Sequence, residues 1–119
     1  MAFVVRRSYL TIELIREVIE AFYDRVVVDP MIGFMFAGKD IARLKNMQLG
    51  FTCHALGIAA YPYSGKPLKV VHRPLKIRAG QFQRRQRILQ ETLEGLQVDP
   101  ELSRRWLDYE ARLEPLIRG

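Results

Sequence analysis

An all-helical, single-domain fold is what this sequence predicts, and three observations carry the prediction. Apolar residues recur at three- and four-residue spacing in several separate stretches. Most of these stretches are bounded by a capping residue, a glycine or a proline. No segment shows persuasive apolar–polar alternation with the period of a half-buried strand. A chain of 119 residues fits one domain, and 49% hydrophobic with 10% aromatic content is enough for a core without disulfides.

Thr11 is placed to cap a first helix reaching to about Val28, with Ile12, Ile15, Ile19, Phe22, Tyr23 and Val26 on one face. The run Val26-Val-Val28 is β-prone but closes a helical pattern. Asp29-Pro30 breaks the helix, because proline disfavours helical backbone at the residue before it. A short turn carries Phe34 and Phe36 and is closed by Gly38. Asp40 caps the next helix, expected over residues 41–56, with Ile41, Leu44, Gln48, Phe51 and Ala55 along one side and Thr52 beside them. Residues 57–66 read as loop, with Gly57, Pro62 and Gly65, and residues 67–77 as at most one or two helical turns interrupted by Pro74. A long helix follows over about 79–97, using Phe82, Ile88, Leu89, Leu93 and Leu96. Asp99-Pro100 restarts a last helix with a cap and a proline at the first helical position, and Leu102, Trp106, Tyr109 and Leu113 line it.

Composition narrows the chemistry. The one cysteine, Cys53, excludes an intrachain disulfide, and without a Cys-x-x-Cys pair a structural zinc site is not expected. No apolar run approaches the roughly 18 residues that span a bilayer, and the start reaches Arg6-Arg7 too soon for a signal-peptide core. The expectation is a cytoplasmic protein with no membrane partner. A net charge of +6 raises an anionic partner as an alternative, in the form of a basic helical module, free of any cofactor, binding nucleic acid or a protein. Against nucleic acid stands the lack of helix-turn-helix spacing, RNP-like aromatics or a zinc-finger pattern. Arg84, Arg85 and Arg87 spread around their helix instead of forming a stripe, and most such residues are expected to be solvated.

Four side chains stand out as chemistry. Gln48 sits in the middle of an apolar stripe, where an unpartnered amide costs about 1–3 kcal/mol. Tyr23 lies on the inward face of the first helix, and a buried phenol normally seeks a partner. Residue type leaves two readings open: a Tyr23–Gln48 core pair, or two donors aimed at a ligand. His54 falls off the inward stripe and reads as a surface residue. His72 precedes Arg73-Pro74, where regular structure ends, and its ring could be presented as a ligand or left in solvent.

The run from Tyr63 through Leu68, Val71 and His72 to Ile77, then Phe82, preceded by Phe22-Tyr23, Asp29-Pro30, Phe34-Met-Phe36 and a helix with Leu44, Gln48 and Phe51, resembles the truncated haemoglobins, most closely their first group. The likeness covers about residues 15–117, with residues 1–9 as an N-terminal extension. It implies a truncated globin-like two-over-two helical sandwich, one globin-like domain over residues 1–119, and haem b held without covalent bonds. It implies His72 as the iron ligand and Tyr23 and Gln48 as distal hydrogen-bonding residues. Phe22, Phe34, Phe36, Leu44, Phe51, Thr52, Tyr63, Leu68, Val71, Ile77 and Phe82 then belong to the haem pocket. The implied function is binding of dioxygen, and of NO or CO, for oxygen delivery or nitric oxide detoxification with an unidentified reductase. Two departures bear on the site. Gly57-Ile-Ala-Ala-Tyr-Pro62 stands where the family usually has Gly-Gly-Pro, and Thr52 stands where some relatives gate a tunnel with phenylalanine.

Overall fold

A computed structural model describes residues 9–58 and 77–112. Helix α1 spans Ile12–Val26, a 3-10 turn Gly33–Phe36, α2 Ile41–Ala55, α3 Ala79–Gly95 and α4 Pro100–Arg112. Among the described residues the structure is helical, with α1 packed on α2 and α3, and α3 packed on α4. Leu14, Ile15, Val18, Ile19, Phe22 and Val26 of α1 meet Leu49, Cys53 and Leu56 of the α2 side, Leu89 and Leu93 of α3, and Leu102 and Trp106 of α4. Burial of such side chains stabilises each by roughly 1.5–3 kcal/mol relative to exposure.

The expected caps form. Thr11 Oγ1 accepts from Leu14 N at 3.1 Å, and Asp40 Oδ1 accepts from Arg43 N at 3.1 Å. Asp99 Oδ2 accepts from Glu101 N at 3.0 Å, ahead of Pro100 at the first helical position. The start of α3 has a cap that the apolar pattern did not reveal: Arg78 N donates to Gln81 Oε1 at 2.9 Å.

Three details differ from the sequence reading. Helix α1 stops at Val26, two residues early, and Val28 is exposed. The cause is Asp29, whose Oδ2 accepts from Met31 N at 3.0 Å and Ile32 N at 3.1 Å, giving the chain a turn that competes with helix. In α2 the face against α1 includes Leu49, Cys53 and Leu56, while Ala55 is exposed. Gln48, Phe51 and Thr52 are buried as well, so this helix is covered on more than one side and a single stripe does not describe it. Finally, Arg85 is not solvated: it is only 6% exposed.

Helices α2 and α3 end alike. Ile58 N donates to Cys53 O at 2.9 Å with Gly57 at φ 90°, and Val98 N donates to Leu93 O at 3.0 Å with Gln97 at φ 58°. Both are Schellman closures, which require left-handed backbone at the first residue after the cap. At Gly33, a Cβ would lie 2.8 Å from Val27 O, so only glycine lets the 3-10 turn lie against the end of α1.

Candidate haem-pocket site

The helices enclose a cluster of charged and polar side chains in a mostly apolar interior. Gln48 of α2 donates from Nε2 to Glu110 Oε1 of α4 at 2.9 Å. Arg85 Nη1 of α3 lies 2.9 Å from Glu110 Oε2. That second contact is an ion pair without hydrogen-bond alignment, since Oε2 makes no hydrogen bond among the described residues. All three side chains are buried, Glu110 to 1% exposure. The Arg85 guanidinium carbon also sits 5.1 Å from the Phe22 ring centre and 5.9 Å from that of Phe82, within cation–π range.

Tyr23 follows Phe22 on the same buried face. Its ring meets Phe22 edge-on at 5.4 Å and Phe36 edge-on at 6.0 Å. Burial pushes its phenol up to about 12, with the Arg85 charge opposing and the Glu110 charge adding. The hydroxyl is therefore a neutral donor across the physiological pH range. Tyr23 also lines a cavity of about 280 Å³ together with Gly33, Phe36, Ile41 and Lys45. Lys45 pairs with Glu20 at 2.7 Å.

Of the other residues singled out in the sequence, Phe51 and Thr52 are buried on α2, and Leu44 is partly buried. Thr52 Oγ1 has no hydrogen-bond partner among the described residues. Ile77 and Phe82 form a small second apolar cluster with Met35 packed on it. Phe34 departs from the expected apolar wall. It is 67% exposed while Phe36 is buried, because a turn of about three residues sends positions 34 and 36 in different directions. Tyr63, Leu68, Val71 and His72 lie outside the described residues. His54 is exposed, as its position off the stripe suggested.

The sequence reading missed Arg85 and Glu110. Both carried the signal that exposed Gln48: Glu110 follows Trp106 by four residues, and Arg85 stands between Phe82 and Ile88-Leu89 on the inward face. Arg85 was masked by its basic neighbours. Those neighbours are compensated: Arg84 grips Asp29 at 2.6 Å and Arg87 pairs with Glu91 at 3.1 Å; on α4, Arg104 likewise pairs with both Glu101 and Asp108.

The profile of the bacterial-like globins matches residues 11–118. The chain belongs to that family. Its relatives include a Group 1 truncated hemoglobin of Mycolicibacterium paratuberculosis, 41% identical over 61 residues that make up 51% of this chain and 44% of the relative. A Group 1 truncated hemoglobin of Chlamydomonas moewusii is 32% identical over 90 residues, 74% of this chain and 52% of the relative. The matched stretches thus span about half the length of these curated relatives. Among solved structures, the Fe(III) form of a mutant truncated hemoglobin from Tetrahymena pyriformis superimposes with a TM-score of 0.79 at 19% identity, covering 90% of this chain and 91% of the other. Chlamydomonas reinhardtii THB1 gives 0.73 at 25% identity, covering 91% and 90%. The resemblance read from Phe22-Tyr23 through Phe82 is borne out as to family and all-α fold.

Membership of the globins implies a haem cofactor, and the described residues of this globin suit one. Phe36, Phe51, Ile77 and Phe82 are apolar and buried, Tyr23 brings a neutral phenol, and the Thr52 hydroxyl is buried without a partner. No helix among the described residues is long and apolar enough to cross a membrane.

Proposed function

We propose that this globin binds haem b through His72 and takes a diatomic ligand, dioxygen in the first place and NO or CO as alternatives, on the side faced by Tyr23 and Gln48. When bound, the haem supplies an iron atom with one coordination position left for the ligand. The observation that carries the reading is the pair of buried polar side chains, Tyr23 and Gln48, on the packed helices α1 and α2 of a truncated-globin fold.

Each residue has a physical task in this reading. Tyr23 donates from a hydroxyl that stays protonated, and a hydrogen bond to a partly charged acceptor is worth about 1.5–3 kcal/mol. Gln48 offers what its bond to Glu110 leaves over: a second N–H and the carbonyl oxygen. Phe36 packs against the Tyr23 ring nearly at right angles and helps hold it in place. Oxygen delivery and, with an electron-donating reductase, nitric oxide oxidation are the two uses such a site serves.

One titration tests the proposal. Protein purified with added haemin is expected to show the intense absorption of a histidine-ligated haem, altered in His72→Ala. Identical spectra for the two proteins overturn the role of His72. Tyr23→Phe is expected to speed oxygen dissociation by about tenfold or more, and an unchanged rate removes Tyr23 as the donor.

A further inference from the structure

We propose that Arg85 and Glu110 are positioning residues for the distal amide: their buried pair pins the nitrogen of Gln48, so that the side chain meets a ligand in one fixed orientation. The inference rests on the haem-globin reading above and adds residues of α3 and α4 to it.

The orientation follows from chemistry. A carboxylate facing a guanidinium is an acceptor only, so the atom of Gln48 that lies 2.9 Å from Glu110 Oε1 must be its nitrogen. One of the two N–H groups is thereby committed, and rotation of the amide that exchanges its nitrogen and oxygen would set a carbonyl against a carboxylate. Glu110 is itself held, since Arg85 lies 2.9 Å from its other oxygen. Arg85 is fixed in turn by the rings of Phe22 and Phe82 and by a 3.3 Å bond from Nη1 to Gln86 Oε1. Gln86 completes the frame by donating to Leu107 O of α4 at 3.3 Å. Every link from the α4 backbone to the Gln48 amide therefore has a partner on another helix or a neighbouring side chain.

Cohesion alone does not call for this arrangement, because well-packed apolar residues commonly hold helices together as well as or better than a buried ion pair. What an apolar replacement cannot do is choose which end of Gln48 faces the ligand. The same charges also reach Tyr23, on which Arg85 and Glu110 act in opposite directions, so both distal residues sit in one field.

Two measurements test the proposal. In the wild-type haem-loaded protein, the Gln48 side-chain N–H groups are expected to exchange with solvent at least about tenfold more slowly than those of the exposed Gln83 and Gln97. Exchange as fast as theirs overturns the inference without any variant. In Arg85→Met with Glu110→Leu, which removes both charges together, the infrared stretch of bound carbon monoxide is expected to split or shift. Oxygen dissociation is expected to change about fivefold or more, the effect of one re-aimed hydrogen bond. A folded double variant with wild-type stretch and wild-type dissociation overturns it. Tyr23→Phe in parallel separates the causes. A rate changed by Tyr23→Phe but not by the double variant sinks only the positioning role, whereas rates unmoved by both sink the distal-site reading with it.

Discussion

Around Ile15, Val18, Leu93 and Trp106 the interior is apolar but for Thr92, whose hydroxyl donates back to Ile88 O of its own helix, whereas four residues further along α4 the same helices enclose Glu110, with Arg85 and Gln48 against it. Both regions are sealed from solvent, yet they are held in opposite ways. The apolar region tolerates small shifts, because dispersion and burial have no preferred direction. The polar region does not, because each bond needs its own atom at its own distance. The interior of this globin thus divides its labour: one part gives cohesion, the other gives orientation at the place where a ligand is expected.

The largest expected effect comes from breaking the polar region at one partner. Glu110→Ala leaves Arg85 buried and unpaired and is expected to cost about 3–5 kcal/mol in urea unfolding, whereas the apolar double replacement of Arg85 and Glu110 is expected to be nearly neutral or stabilising. Equal losses in the two proteins would erase the distinction between the regions. Leu93→Ala probes the other side, with an expected loss of about 2–5 kcal/mol set by the cavity left behind.

A sharper probe is alkaline titration. Because burial raises the Tyr23 phenol to about 12, the native state resists an ionisation that the unfolded chain undergoes near its ordinary value. Stability contributed by the neutral phenol is therefore intact below about pH 10 and is lost as pH rises towards 12, by about 2–3 kcal/mol. Tyr23→Phe should abolish that loss, and equal alkaline slopes for the two proteins would contradict the burial. Asp29→Asn works in the acid direction. The Arg84 hydrogen bonds hold the Asp29 carboxyl below the usual carboxylate range, despite burial and aided by the bonds from Met31 and Ile32. Its contribution, about 1–3 kcal/mol, is present above the ordinary carboxylate pKa and lost as pH falls through the depressed one. Wild type and Asp29→Asn should accordingly converge in stability at low pH. The smallest effect is expected at the end of α3, where Gln97 holds a left-handed conformation that Gly57 occupies at the end of α2. Gln97→Gly should gain up to about 1 kcal/mol in thermal unfolding, and a loss there would mean that the glutamine side chain contributes contacts of its own.

The helices were legible in the sequence because periodicity and caps pointed the same way: Thr11, Asp40 and Asp99-Pro100 all open helices where expected. Gln48 was legible because one polar residue interrupts an apolar stripe. Arg85 and Glu110 obey the same rule but were hidden, one in the run Gln83-Arg-Arg-Gln-Arg87 and the other among the charges of the last helix. Composition conceals a buried charge when its neighbours carry the same kind. Nor could the two readings of Gln48 anticipate the outcome. One N–H of its amide goes to a carboxylate 62 positions away, a partner neither reading named, and helical periodicity says nothing about which faces of distant helices meet. Phe34 shows the same limit at short range, since a 3-10 turn separates it from Phe36 where proximity in sequence suggested a shared wall.

Cys53 is completely enclosed at the α1–α2 contact, and burial raises its thiol above the ordinary range. An alkylating dye added to the native protein should find this sulphur only when that contact parts. Nature has thus installed a built-in clock: the pace of its modification reports how often the molecule comes open, with no probe engineered into it.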